Sequence, residues 1–158
     1  MGCFITFEGV EGCGKSTQIR KLAETLTKSG NNVTLTREPG GCDIADKIRA
    51  ILLDSANAAM VPLAELLLYA AARAQHINEV ILPALAKGDI VLCDRFIDAT
   101  VAYQGHGRGL DLEMINNLNS LAAANCRPDI TLLLDCPVAT GLERARARIE
   151  ALGAAASS

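Results

Sequence analysis

Residues 9–16 read Gly-Val-Glu-Gly-Cys-Gly-Lys-Ser, the spacing G-x4-G-K-[ST], and no other feature of the chain restricts its possible folds so strongly. Such a loop works only between a strand that delivers it and a helix that leaves it, because its backbone N–H groups must converge at a helix N-terminus to hold an anion. The flanks meet that requirement. Apolar residues 3–7 (CFITF) predict a buried strand ending at Glu8-Gly9, and Ile19, Leu22, Ala23 and Leu26 form a helical stripe that starts at Lys15 and stops at Gly30. In this setting Gly9, Val10, Glu11, Gly12, Cys13, Gly14, Lys15, Ser16 and Thr17 are the candidate ATP-binding residues. The Lys15 ammonium would bridge the β and γ phosphates, and the Ser16 hydroxyl would bind Mg²⁺.

The remaining pattern repeats strand and helix. Val33–Thr36 predicts a second strand, followed by a Pro-Gly-Gly turn at 39–41 and a helix with Ile44, Ile48, Ile51 and Leu52 on one side. After Pro62 a long Ala- and Leu-rich helix runs toward Ala86, with a bend expected near Pro83 and a stop at Gly88. Ile90–Cys93 is an apolar run ending in Asp94; Ile115, Leu118 and Leu121 mark another helix. Ile130–Leu134 is a last strand, ending in Asp135, and from Pro137 a final helix carries Arg144, Arg146 and Arg148. Strands without polar alternation, separated by helices, require an α/β fold with a central parallel sheet covered by helices on both faces.

With 158 residues, half of them hydrophobic, the chain is one domain, 1–158. A formal charge of −3 gives no general cationic field, so neither nucleic acid nor a membrane surface is an expected partner, and any anion must be met by a local site. The most apolar stretch, Leu63–Ala74, is broken by Glu65 and Arg73 and falls short of the roughly 20 residues that span a bilayer. The opening MGCFIT fits a myristoylation pattern through Gly2 and Thr6, but these residues also make the strand that feeds the loop. No basic segment followed by an apolar run marks a secretion signal. The six cysteines lack the spacing of paired zinc ligands and are expected to be reduced, mostly buried small hydrophobes in a cytoplasmic protein.

A GTPase would add D-x-x-G and N-K-x-D motifs, and neither occurs. Two strands end in an acid, so Asp94 and Asp135 are candidate Mg²⁺ partners; Asp94 is preferred because Arg95 follows it, whereas Asp135 equally suits a helix cap before Pro137. Transfer between nucleotides gathers negative charge, and a monophosphate acceptor, with a second pKa near 6, needs no general base. It needs cations and alignment. Arg37 and Arg95 lie just past strand ends, where open α/β sheets bind ligands. Arg108 lies in the glycine-rich stretch GHGRG, read here as a loop, and His106 beside it is read as a solvent or capping residue.

The loop GVEGCGKST, TREPGG at 36–41, YAAARAQ at 69–75, DRFIDATVAYQGHGRGL at 94–110 and LLLDCPVATGLERARAR at 132–148 together resemble bacterial thymidylate kinases, over residues 3 to about 150. The resemblance implies a P-loop kinase fold, phosphoryl transfer from Mg-ATP to dTMP, and a homodimer. It makes Lys15, Arg95 and Arg148 the catalytic residues, with Arg148 and its neighbours 144 and 146 as donors from a mobile lid, and Ser16 and Asp94 the metal ligands. Glu11 would meet the 3′-OH of the sugar, and Arg37 and Arg95 would clamp the dTMP phosphate. Tyr69 would stack on thymine, Arg73 would read its O4, Thr100 and Gln104 would lie near the base, and Tyr103 would exclude a 2′-OH. Residues four apart share a helix face, so Tyr69 and Arg73 can address one base together.

Position 99 is Ala where the family pattern has Ser, and after RARAR the family continues through a lid, a long helix, a fifth strand and a closing helix, where this sequence has IEALGAAASS. A missing C-terminal part would leave a sheet edge and an apolar face uncovered. The competing expectation is therefore a nucleotide-binding module without turnover. A dUMP kinase is a further reading within the enzyme class.

Overall fold

The computed structural model describes residues 2–155, with side chains to Ala151. Four strands form one parallel sheet: β1 (Cys3–Glu8), β2 (Val33–Arg37), β3 (Ile90–Asp94) and β4 (Ile130–Leu133), in the order β2-β3-β1-β4. Parallel neighbours need long crossovers, and α1 (Lys15–Lys28), α2 (Asp43–Leu53), α3 (Pro62–His76), α4 (Leu82–Ala86), α5 (Ile97–Thr100), α6 (Leu112–Ala122) and α7 (Val138–Ala155) lie in or after them. The winding goes from β1 outward to β2, returns to β3, and then crosses to β4 on the far side of β1. That reversal opens a crevice above the carboxyl ends of the strands, and there Glu8, Arg37, Asp94 and Asp135 end or follow their strands.

Side chains alternate across β1. Phe4 packs with Ile77, Ile81, Val91 and Phe96 on one face, and Ile5 and Phe7 pack with Ile19, Ala23 and Leu92 on the other. The covering on both faces holds for β1 and β3 and thins toward the margins. The apolar run of β4 is exposed at all four positions, with Leu133 at 71%. An edge strand has one neighbour, so an apolar sequence alone does not bury it.

Two helical segments differ from the expected pattern. The helix from Pro62 to Ala86 is continuous, but its irregularity is a wide π-type turn at Ile77–Ile81, one turn before Pro83. Widening that turn lets the chain pass a residue that has no N–H to donate. The second difference corrects the reading of GHGRG as a loop: α5 continues into wide helical turns over Val101–Gly107, so Gly105 and His106 are helical. Gly105 is buried there, because a Cβ would press on Leu112 and Ile115. Cys42 and Cys93 are buried and the other four cysteines half-buried, so the expectation of mostly buried thiols is met at two positions; all six are free. Among the described residues no helix is long and apolar enough to cross a membrane.

Candidate functional site: a phosphate loop beside an arginine-rich cleft

The loop between β1 and α1 places the start of the helix at the crevice. Gly14, the residue before the helix, has φ +97°, no side chain caps the first turn, and no acid lies in it. The positive end of α1 and its free N–H groups are therefore left to an outside anion. Gly12 has φ +73°, and a Cβ there would run into the Gly141 carbonyl on α7, so the loop and the last helix touch backbone to backbone. Lys15 is only 7% exposed. Its ammonium donates to the carbonyls of Gly9 (2.8 Å) and Val10 (2.9 Å) and lies 3.6 Å from Cys13 Sγ, curled over the loop.

The Ser16 hydroxyl donates to Asp94 Oδ2 at 3.1 Å. The β1–β3 register, which pairs Phe7 with Asp94, brings the end of β3 beside the loop. A hydroxyl and a carboxylate are hard oxygen donors at one spot, a set that fits Mg²⁺ completed by phosphate oxygens and water.

Next to the loop, at the ends of β2 and β3, lies a cleft of about 300 Å³. Glu11, Arg37, Tyr69, Arg73, Arg95, Thr100, Tyr103 and Gln104, the eight residues expected around the acceptor, all line it, together with Asp94 and Ala99. Arg37 is exposed and pairs with Asp46 at 3.0 Å, a contact that water screens and that a ligand can replace. Arg95 follows β3 with φ +71°, a backbone region that costs a non-glycine residue about 1–3 kcal/mol. Three contacts hold its segment: its N–H donates to the Phe7 carbonyl (3.0 Å), the next N–H, of Phe96, donates to Glu8 Oε1 (2.7 Å), and its guanidinium lies 5.4 Å over the Tyr103 ring. Burial pushes the Glu8 carboxyl above its usual range, against the pull of the Phe96 N–H.

Arg73 is the interior anchor of the cleft. It is 2% exposed and spends four of its N–H groups within the protein: Nε on Glu38 Oε2 (2.7 Å), Nη1 on Asn119 Oδ1 (2.6 Å), and Nη2 on the Phe96 carbonyl (3.2 Å) and Thr100 Oγ1 (2.9 Å). A guanidinium has five, so a single donor, on Nη1, is unspent. Glu38 joins Arg73 to His76, whose Nδ1 lies 3.2 Å from Glu38 Oε1 and whose Nε2 meets Thr36 Oγ1.

A sequence model of the family described as thymidylate kinase matches residues 7–155. The chain is 69% identical over 156 residues to a thymidylate kinase of Geotalea daltonii, covering 99% of this chain and 73% of that protein. It is 67% identical over 155 residues to one of Citrifermentans bemidjiense, covering 98% of this chain and 69% of that protein. The chain belongs to the thymidylate kinase family. The crystal structure of thymidylate kinase from Ehrlichia chaffeensis shares its fold, with a TM-score of 0.80 at 42% identity, covering 96% of this chain and 80% of that one.

Some residues singled out in the sequence lie elsewhere. Arg148 is exposed on α7 and does not line the cleft, and Arg144 and Arg146 are exposed on the same helix. Asp135 is exposed and outside the cleft, while Asp94 lines it. His106 is exposed. Arg108 is not a free cation: its Nη2 pairs with Glu65 Oε2 at 2.8 Å. Glu38, Pro39, Arg49 and Leu53 also line the cleft and were not anticipated. Arg49 lies on α2 three residues after Asp46 and donates to the Pro39 carbonyl at 2.8 Å, so helical spacing from Asp46 was the available signal.

Glu65 supports a pH prediction. Burial would raise its carboxyl, but hydrogen bonds from Arg108 and Gln104 outweigh burial and hold it below the usual range. A carboxylate lowered on folding adds stability that is complete above its unfolded pKa, about 4.3, and is lost as pH falls through the lowered folded value. The difference in Tm between wild type and Glu65→Gln, followed by calorimetry, is expected to be flat above about pH 6 and to shrink on acidification. A difference that grows toward low pH would contradict it.

Proposed function

We propose that this chain transfers the terminal phosphoryl group of Mg-ATP to dTMP, giving dTDP and ADP, in dTTP biosynthesis. The observation that carries this reading is the single cleft in which Arg37, Arg95, Tyr69, Arg73 and Gln104 meet beside the phosphate loop. ATP phosphates are received by the loop amides at the start of α1 and by Lys15. Mg²⁺, when bound, would be held by Ser16 and Asp94 and would neutralise charge between the β and γ phosphates. The acceptor phosphate is already ionised at neutral pH, so the protein has no proton to remove and acts by alignment and charge. Arg37 receives that phosphate from the β2 side. Arg95 adjoins Asp94, the partner of Ser16, and so stands between loop and cleft, where it serves acceptor and transferring group together.

At the other end of the cleft, the unspent donor of Arg73 suits a base carbonyl, and Tyr69, one helical turn earlier, offers a ring to stack on. Glu11 is assigned to the 3′-OH and Tyr103 to exclusion of a 2′-OH. Arg148, exposed on α7, is assigned to the transferring phosphates.

Arg95→Ala is expected to lower kcat by about 10³-fold while moving the KM for ATP by no more than about threefold. Steady-state kinetics with each substrate varied separately decides it, and equal losses in both would overturn the role given to Arg95.

A homodimer is part of the proposal. Its support is an exposed apolar strip on α3 and α6, where Leu63, Leu67, Met114 and Leu121 are 48%, 50%, 38% and 78% exposed. Light scattering should give twice the chain mass. The cytoplasm is the proposed compartment, supported by six cysteines without a disulfide.

A further inference from the structure

We infer that Glu65 sets the base specificity of the acceptor site by fixing which end of the Gln104 amide faces the cleft. This rests on the reading of the cleft as a dTMP site. A glutamine amide has a donor end and an acceptor end of almost the same shape, so an unrestrained glutamine accepts either hydrogen-bond pattern. A carboxylate accepts only. Gln104 Nε2 donates to Glu65 Oε1 at 2.8 Å, which commits the amino end to the protein and turns the carbonyl end away.

That carbonyl is open to the cleft. Gln104 lines it; among the described residues its Oε1 has no protein partner, and the sealed, unpartnered side-chain polar atom is Asn119 Nδ2, not Gln104 Oε1. Arg108 holds Glu65 in turn, with Nη2 on Oε2 at 2.8 Å and Nε on Oε1 at 3.3 Å. Glu65, Tyr69 and Arg73 follow one another at four-residue intervals on α3, so the residue that orients Gln104 shares a helix face with the two assigned to the base.

The cleft therefore presents an acceptor from Gln104 and a donor from Arg73. A pyrimidine with N3–H and a 4-carbonyl complements both. Cytosine, with a bare N3 and a 4-amino group, meets acceptor with acceptor and donor with donor. Buried polar groups left facing their own kind cost more than a missing methyl pocket, so rejection comes mainly from these two positions. Freed from Glu65, the amide turns and offers its amino group to cytosine N3.

The test is Glu65→Met, which fills the space, removes the acceptor and leaves the Arg108 guanidinium, half-exposed already, to water. KM for dTMP, Ki of dCMP as a competitor and KM for ATP are measured on wild type and variant. The ratio of Ki(dCMP) to KM(dTMP) is expected to fall about tenfold, with KM for ATP within about twofold. Glu65→Gln, whose oxygen Arg108 holds so that its amino end faces Gln104, should lower the ratio as well, because only a carboxylate is restricted to accepting. Should Glu65→Met melt below the assay temperature, Glu65→Ala carries the same expectation. An unchanged ratio, or equal weakening of dTMP and dCMP, overturns the inference alone. A wild-type chain that turns over neither dTMP nor dUMP overturns it together with the reading beneath it.

Discussion

Lys15→Ala is expected to abolish turnover while the chain stays folded. The lysine ammonium is buried against the loop it serves, with the Gly9 and Val10 carbonyls as its partners and, among the described residues, no carboxylate paired with it. A cation held in that way is stabilised modestly in the free protein and strongly once phosphate oxygens arrive, and this difference is what accelerates transfer. Losing it should cost about 4 kcal/mol of transition-state stabilisation, or roughly 10³-fold in kcat. Stability should change little, because the deleted group gives up two carbonyl contacts and also escapes burial of its charge. ADP release and Tm measured on one preparation check both halves. A variant keeping a tenth of wild-type turnover would contradict the role of Lys15.

Arg73→Met should have the opposite profile, with a large loss of stability. Glu38 is 6% exposed and receives the Arg73 Nε–H at 2.7 Å. Without the guanidinium a buried carboxylate keeps only His76, and Asn119 Oδ1 loses its donor. Breaking one half of a buried ion pair costs about 3–5 kcal/mol, or roughly 10 °C in Tm for a domain of this size. The double variant Arg73→Met/Glu38→Gln removes the stranded charge and is expected to recover at least about half of that loss. It should not recover the KM for dTMP, since the donor assigned to the base is still gone. A Tm within about 2 °C of wild type for Arg73→Met would contradict the buried pairing.

The features readable in the sequence are those written locally. The phosphate loop is a run of adjacent residues between a strand and a helix, and the apolar runs that make β1 and β3 are contiguous. The eight acceptor residues that line the cleft were legible through resemblance, because their spacing is a family pattern. Spacing alone puts Tyr69 and Arg73 on one helix face and does not say whether that face is buried; Arg73 is almost wholly buried.

What escaped is long-range. Glu38 meets Arg73 across 35 residues and Glu65 meets Gln104 across 39, and neither separation leaves a mark in the chain. The wide-turn segment at Val101–Gly107 escaped because glycines at 105 and 107 read as a loop, while a packing limit at Gly105 set by Leu112 and Ile115 belongs to the tertiary structure. For β4 the sequence left two readings open, a strand covered on both faces and an apolar edge left uncovered, and the second holds: hydrophobicity states what a strand tolerates, and its place at the sheet edge decides what covers it.

The most direct measurement is Mg²⁺-dependent ADP release by the 158-residue chain from ATP with dTMP, dUMP, UMP or no acceptor. Release stimulated chiefly by dTMP, less by dUMP, hardly by UMP, and lost on chelation of Mg²⁺ is the predicted result. A folded chain whose ADP release is the same with and without dTMP would contradict the account.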